Sequence, residues 1–241
     1  MLAALELPGQ LPGAIAAVAA GVNPGQYLKL NWPWIRASGI RTVIDVGAHK
    51  GEFSSAIRAL LPDSRIYAFE PLPECRAALS RKLASKKGHA KTFPVAVGRQ
   101  AGEATLWRSS YPKSSSVLPM ARLHRESFPW TSAATPVTVE MKSLDEYDGE
   151  LQLVPKTLMK IDVQGYEAEV LRGAAALLQK IDYALLEVSF QPLYEGQESF
   201  AEIHALLDKA GFSYSGNLEQ LLSPLDGSIL QADALFVRNR P

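Results

Sequence analysis

The sequence predicts a three-layer α/β fold, with a mostly parallel sheet and helices on both of its faces. Three observations predict it. Short β-branched apolar runs alternate with helix-length segments along most of the chain. Two of these runs end in an acidic residue and a turn, Asp45-Val46-Gly47 and Phe69-Glu70-Pro71. The segments between them carry helix stop signals, Pro62 after the first and Gly88 after the second.

Residues 40–46 are an apolar β-branched run, read as a buried strand, and residues 52–61 a helix ending at Pro62. A second strand spans 65–69. The helix over 73–86 has proline near its start and glycine just past its end. A third strand is expected over 91–97. Alternation then lapses: 103–108 and 136–142 read as strands flanking a long irregular stretch. It resumes with a strand over 157–163, a helix over 167–180 and a strand over 182–188. A helix over 199–210 closed by Gly211 and strands over 212–215 and 234–238 complete the chain.

Composition narrows the function classes. At 241 residues the chain fits one domain with ample core. Hydrophobic residues make up 47% and the formal net charge is zero, so the basic excess of a duplex nucleic-acid binder is missing. The single cysteine, Cys75, excludes an intramolecular disulfide and is read as a small buried apolar residue. No Cys/His cluster has zinc spacing. The setting expected is reducing and cytoplasmic. The apolar stretch 11–22 is too short for a membrane span and is interrupted by Pro12, Gly13 and Gly21. It is read as an amphipathic helix packing on the domain or on a second copy, which makes a homodimer plausible.

Ligands on such sheets bind at the carboxyl ends of the strands. Asp45, Glu70, Asp162 and Glu187 all end predicted strands. Gly47 and Gly51 would let a ligand approach the backbone, and Glu70 would accept hydrogen bonds from a ribose diol. A nicotinamide site wants G-x-G-x-x-G, but Asp45 occupies the first glycine's place and would repel a pyrophosphate. The phosphate-binding G-x-x-x-x-G-K-[ST] is also missing. A phosphate-free cofactor with a positive centre fits better, and S-adenosylmethionine is such a molecule. Asp45 would meet its ammonium directly or through water.

These residues resemble the FkbM-type S-adenosylmethionine-dependent methyltransferases. The resemblance rests on Asp45-Val46-Gly47-Ala48, Phe69-Glu70-Pro71, Val95-Ala96-Val97-Gly98 and Ser114-Ser115-Ser116. It continues through Lys160-Ile161-Asp162-Val163-Gln164-Gly165-Tyr166-Glu167, Val170-Leu171-Arg172-Gly173-Ala174 and Leu186-Glu187-Val188. It implies a class I methyltransferase (Rossmann-like) fold, a seven-stranded sheet with an antiparallel last strand, and O-methylation of a sugar or natural-product hydroxyl. It divides the chain into a helical extension, 1–39, and a methyltransferase domain, 40–241, with a hairpin or lid insertion over 103–142. The cofactor set becomes Asp45, Gly47, Ala48, His49, Gly51, Glu70, Pro71, Ala96, Val97 and Asp162. His49 stands where the family usually has Asn, and Gln164 where Glu is also common.

Transfer to a hydroxyl benefits from a general base. Asp162 is the first candidate and Glu187 the second; pointing into one site they would suit magnesium or calcium, with Asp145 read as the cap of a short helix or else as a third ligand. Capping of the Gly165 turn is the plain alternative for Asp162, and pairing with Lys160 or Arg172 that for Glu187. His124, in the long segment 109–135, and His49 are alternative bases. Tyr111, Phe128 and Trp130 in the same segment suggest an acceptor pocket. Trp32 and Trp34 are read as core packing. The acceptor is a small molecule or glycan; N-methylation, or a cofactor-binding regulatory protein without turnover, are the alternatives.

Overall fold

The computed structural model describes residues 18, 21–30, 33–84 and 88–239. Two short helices, α1 (Pro24–Leu30) and α2 (Pro33–Ala37), lead into β1 (Thr42–Val46), α3 (Glu52–Leu60), β2 (Arg65–Phe69), α4 (Pro73–Ala84) and β3 (Ala90–Phe93). Next come β4 (Ala96–Val97), β5 (Gly102–Ser109), α5 (Arg122–Ser127) and β6 (Ala134–Lys142). The chain ends with β7 (Thr157–Ile161), α6 (Glu167–Arg172), β8 (Tyr183–Ser189), α7 (Phe200–Lys209), β9 (Phe212–Leu222) and β10 (Ile229–Arg238).

A seven-stranded sheet has the order β3-β2-β1-β7-β8-β10-β9. Its first five strands are parallel. β10 runs antiparallel to both β8 and β9. The expected mixed sheet is therefore present, and the order reverses between β1 and β7, where a ligand crevice forms. A second sheet, β4-β6-β5, carries the insertion.

Both faces of the main sheet are covered, so its central strands are apolar throughout. On one face Val43, Leu158, Leu185 and Leu235 pack under α1, α2 and α3 with Tyr27, Ile35, Phe53 and Ile57. On the other, Ile44, Met159, Leu186 and Phe236 meet Val170 of α6 and Ile203 and Leu207 of α7. Each large buried side chain contributes about 1.5–3 kcal/mol. The two-residue strand period then sets the polar residues. Asp45, Lys160, Glu187 and Asp233 share the α1/α3 face, two positions beyond that apolar row.

Four expectations on the elements need correction. The strand expected over 91–97 is two, β3 and β4, in different sheets, because Pro94 between them has no N–H for a ladder. The helix expected over 167–180 stops at Arg172 and resumes as a 3₁₀ turn at Leu177–Lys180. Gly173 lies against the backbone there, and a Cβ on it would stand 2.0 Å from the Gly98 carbonyl oxygen. β9 runs to Leu222 instead of 215, and β10 begins at Ile229 instead of 234. Stretch 11–22, on which the homodimer expectation rests, lies mostly outside the described residues, as does Trp32. Trp34 packs against Tyr183 with ring centroids 5.7 Å apart. Among the described residues no helix is long and apolar enough to cross a membrane.

Candidate active site

A cleft of about 300 Å³ opens at the carboxyl ends of β1, β2, β7 and β8. Its floor begins at the β1–α3 turn. Gly47 has φ +77°, and a Cβ there would stand 1.9 Å from the Asp162 carbonyl oxygen. The N–H groups of Gly47 and Ala48 both donate to the Phe69 carbonyl, at 3.1 and 3.0 Å. Bare backbone therefore faces the cleft, as a ligand lying along the turn requires. Gly51 caps α3 in the left-handed conformation, φ +77°, outside the cleft lining.

Glu70 follows β2 and is buried. Its Oε2 accepts from the His49 N–H and its Oε1 from the Leu72 N–H, both at 2.8 Å. A carboxylate has about four acceptor sites, so about two stay open for a vicinal diol. Burial lifts its pKa to about 7, against the pull of the Leu72 and His49 N–H bonds. Pro71, Leu72, Val95, Ala96, Val97 and Leu106 form an apolar wall beside it.

The sulfonium cofactor fits these residues on three structural observations: the glycine cradle, the open acceptor sites of Glu70, and the charge of the lining. Glu52, Glu70, Asp162, Glu187, Glu219 and Asp233 line the cleft against Lys29, Lys113 and Lys160. A diol donating to Glu70 favours its ionised form, so its pKa falls on binding. S-adenosylhomocysteine affinity is then expected to fall by up to about tenfold per unit as pH drops below neutrality, and to level off above it. Calorimetry across that range checks this; a flat profile would contradict it.

Asp45 is fully buried below the cleft surface rather than on it. Its Oδ2 accepts from Ser54 Oγ at 2.5 Å, and its Oδ1 has no hydrogen-bond partner among the described residues. Burial raises its pKa, against the opposing charge of Lys160. Direct contact with a cofactor ammonium is thus not offered from the lining.

Asp162 does line the cleft, and both of its oxygens are engaged. Lys160 Nζ donates to Oδ2 at 2.8 Å and Gln164 Nε2 to Oδ1 at 2.9 Å. Burial works to raise its pKa, but the Lys160 charge, the Lys160 and Gln164 hydrogen bonds and the Lys113 charge together outweigh it, and the net shift is downward. Asp162 does not cap the Gly165 turn. Glu167 does, its Oε1 accepting from Val163 and Gly165 N–H at 3.0 and 3.1 Å.

Glu187 is arranged differently. Its Oε2 accepts from Gln164 Nε2 at 2.5 Å and from Gln231 Nε2 at 2.9 Å. Its Oε1 has no hydrogen-bond partner among the described residues. Burial first, then the negative charges of Asp162 and Asp233, push its pKa well above the usual carboxylate range. Asp233 is its antiparallel register partner, raised to about 6 by burial and by Asp162. Neither Lys160 nor Arg172 pairs with Glu187; Arg172 pairs with Glu169 and Glu198.

His124 does not line the cleft. Its ring packs edge-on against Phe128 and Tyr194, Nε2 lies 3.0 Å from Thr131 Oγ1, and burial lowers its pKa to about 4. Trp130 is 65% exposed and, with Tyr111 and Phe128, also stands outside the lining. The insertion instead supplies Pro112, Lys113, Ser115 and Val117. His49 lines the cleft with Nδ1 3.3 Å from Glu52 Oε2 and Nε2 unpartnered. Asp145 accepts from the Ala176 and Leu177 N–H groups at 3.0 and 2.8 Å, so it caps a 3₁₀ turn. Among the described residues no group of three His, Cys, Asp or Glu is placed to hold a metal ion. Cys75 is buried, its thiol pushed up to about 12 chiefly by burial.

Sequence reasoning missed Gln26, Lys29 and Leu30 of α1, Glu219 of β9, and Gln231 and Asp233 of β10. Lys29 bridges to Glu219 across the cleft mouth. Gln231 and Asp233 had a signal: they are polar residues at alternate positions in the apolar run 229–237.

Comparison with known proteins agrees with this geometry. The chain is 28% identical to the 2-O-methyltransferase NoeI of Sinorhizobium fredii over 69% of each chain. It is 29% identical to the methyltransferase sdnD of Sordaria araneosa, over 70% of this chain and 73% of that one. A putative RNA methyltransferase from Pyrococcus horikoshii shares the fold at 14% identity and a TM-score of 0.52, over 97% of this chain and 100% of that one. The model of the methyltransferase FkbM domain matches residues 45–214. With that match spanning most of the chain, from the Gly47 cradle past the Glu187 carboxylate, the protein belongs to the FkbM family of S-adenosylmethionine-dependent methyltransferases.

Proposed function

We propose that the protein methylates a hydroxyl oxygen of a sugar or small natural product, with Glu187 as the proton acceptor. One observation carries this reading: Glu187 lines the same cleft as Gly47 and Glu70, with Oε2 fixed by two amides and Oε1 without a hydrogen-bond partner among the described residues. The named activity of the 2-O-methyltransferase relative supports an oxygen acceptor.

When bound, S-adenosylmethionine supplies an electrophilic methyl group on a positively charged sulfur. Glu70 would hold the ribose, Gly47 and Ala48 would lie along the amino-acid tail, and the wall of Val95 to Val97 would take the adenine. The remaining task is to align the acceptor and remove its proton. Alignment supplies up to about 7–11 kcal/mol of such a barrier. A positioned base adds about 10²–10⁴-fold.

The hydrogen-bond geometry supports Glu187 over Asp162, the reverse of the expected ranking. Asp162 already accepts a bond at each oxygen, and the Lys160 charge with the Lys160 and Gln164 hydrogen bonds holds its pKa down, which makes it a poor proton acceptor. Glu187 is fixed at one oxygen by two amides and free at the other. Burial and the charges of Asp162 and Asp233 raise its proton affinity, as a proton acceptor requires. Asp162 and Lys160 would instead form the paired polar floor.

Calorimetry with S-adenosylhomocysteine tests the cofactor half. Binding is expected in the parent, with a loss of tenfold or more (about 1.4 kcal/mol) in Glu70→Ala, which removes two charge-assisted bonds. No binding by the parent at millimolar ligand would end the reading. On an acceptor identified by screening, Glu187→Gln is expected to lower kcat by about 10²–10⁴-fold. Full turnover in that variant would remove Glu187 as the base.

A further inference from the structure

Gln164 has φ +57°, in the left-handed region, where a residue with a Cβ persists only if its surroundings hold it. Here they hold every polar atom of its side chain. Nε2 donates to Asp162 Oδ1 at 2.9 Å and to Glu187 Oε2 at 2.5 Å. Oε1 accepts from the Tyr194 hydroxyl at 2.8 Å. Turning the amide over would set its oxygen against two carboxylate oxygens, so this orientation is the satisfied one.

The same residue meets the insertion. Its backbone carbonyl accepts from Ser116 Oγ at 2.6 Å. The Tyr194 hydroxyl hydrogen is shared with the Ser114 carbonyl at 3.3 Å. Tyr194 also forms a β-bridge with Met120 and packs on the His124 ring. One strained turn thus joins two strand-end carboxylates to the segment that covers the cleft.

We propose that Gln164 is a positioning residue that couples seating of the insertion to placement of Glu187 Oε1 in the cleft. The inference rests on reading Glu187 as the base. With the insertion seated, Ser116 and Tyr194 hold the turn, and the Gln164 amide shares Glu187 Oε2 with Gln231. With the insertion lifted, the turn loses the Ser116 bond and Tyr194 loses Ser114, Met120 and His124, so the Gln164 amide is held less firmly and Gln231 carries more of the carboxylate's orientation. Its remaining ionisable neighbours, Asp162, Asp233, Glu167, Lys160 and Tyr194, come from other parts of the main fold. The base is then most firmly aligned when the acceptor-side loop is down.

The test is a titration of the full chain with glutamate carboxyl groups labelled with carbon-13. The Glu187 signal is assigned by its loss in Glu187→Gln. In Gln164→Ala the ionised carboxylate loses a donor, and the Glu187 midpoint is expected to rise by about one unit. Tyr194→Phe removes one oxygen remote from Glu187 and is expected to raise the midpoint by a smaller amount. A residue that merely fills space would move neither. An unmoved or lowered midpoint in Gln164→Ala overturns the proposal, and so does a shift there without one in Tyr194→Phe. If Gln164→Ala does not fold, Tyr194→Phe decides alone. The base reading fails separately, by full turnover of Glu187→Gln, and that result leaves the midpoint shifts standing.

Discussion

Gly47→Ala is expected to cost about 3 kcal/mol or more of stability and to abolish S-adenosylhomocysteine binding. Two effects add. A residue with a Cβ at φ +77° costs about 1–3 kcal/mol by itself. The added carbon would also stand 1.9 Å from the Asp162 carbonyl oxygen and 2.9 Å from its carbonyl carbon, neither of which ends a flexible side chain. Relief requires the β1 turn and the β7 end to part, yet the Asp162 N–H donates to the Val46 carbonyl at 3.0 Å and ties them together. The same separation would widen the cleft floor. Urea unfolding and calorimetry measure both losses. A stability loss below about 1 kcal/mol with binding retained would show that the turn can shift.

Lys160→Met is expected to destabilise the protein by about 3–5 kcal/mol near neutral pH, through the charges it leaves behind. The Lys160 ammonium is buried, donates to Asp162 and lies in register beside Asp45. Burial alone would lower its pKa, but the two carboxylates raise it. Methionine keeps most of the volume while removing the charge and its contact over the Phe53 ring. Asp162 would then go from a depressed pKa to a raised one, joining Asp45. A carboxyl group whose folded pKa lies above its unfolded value is most stabilising below the unfolded value, and that stability is lost as pH rises. The deficit relative to the parent is therefore expected to be largest at neutral and alkaline pH and to shrink towards about pH 4. Unfolding curves at several pH values check the slope. A deficit independent of pH would mean that packing, not charge, had been lost.

Much of this site was legible because its residues sit next to strong local signals. The β1 and β2 strands are β-branched or aromatic and end at Asp45 and Glu70, so strand period and turn chemistry together mark the nucleoside end. The Gln164 turn was visible as a motif, but its geometry was not, since no spacing rule says which amide reaches two carboxylates from different strands. Asp162 and Glu187 were ranked by position alone; Lys160, two residues before Asp162 and on the same strand face, bears on that ranking through its contact with Asp162. Glu219 and Asp233 come from strands whose pairing is long-range, and α1 reaches the cleft from a part of the chain without any motif. His124 looked suited to catalysis by its titration range, and packing against Tyr194 and Phe128 placed it elsewhere.

The insertion is not hinged to the domain at a single point. β6 runs parallel to β4 through Ala96 and Val97, the same two residues that stand in the apolar wall beside Glu70. A chimera that borrows residues 103–142 from a relative would therefore replace one partner of that wall. The loop proposed to face the acceptor and the wall proposed to take the adenine share one strand pairing, so a transplanted loop is expected to bring a changed cofactor affinity with it.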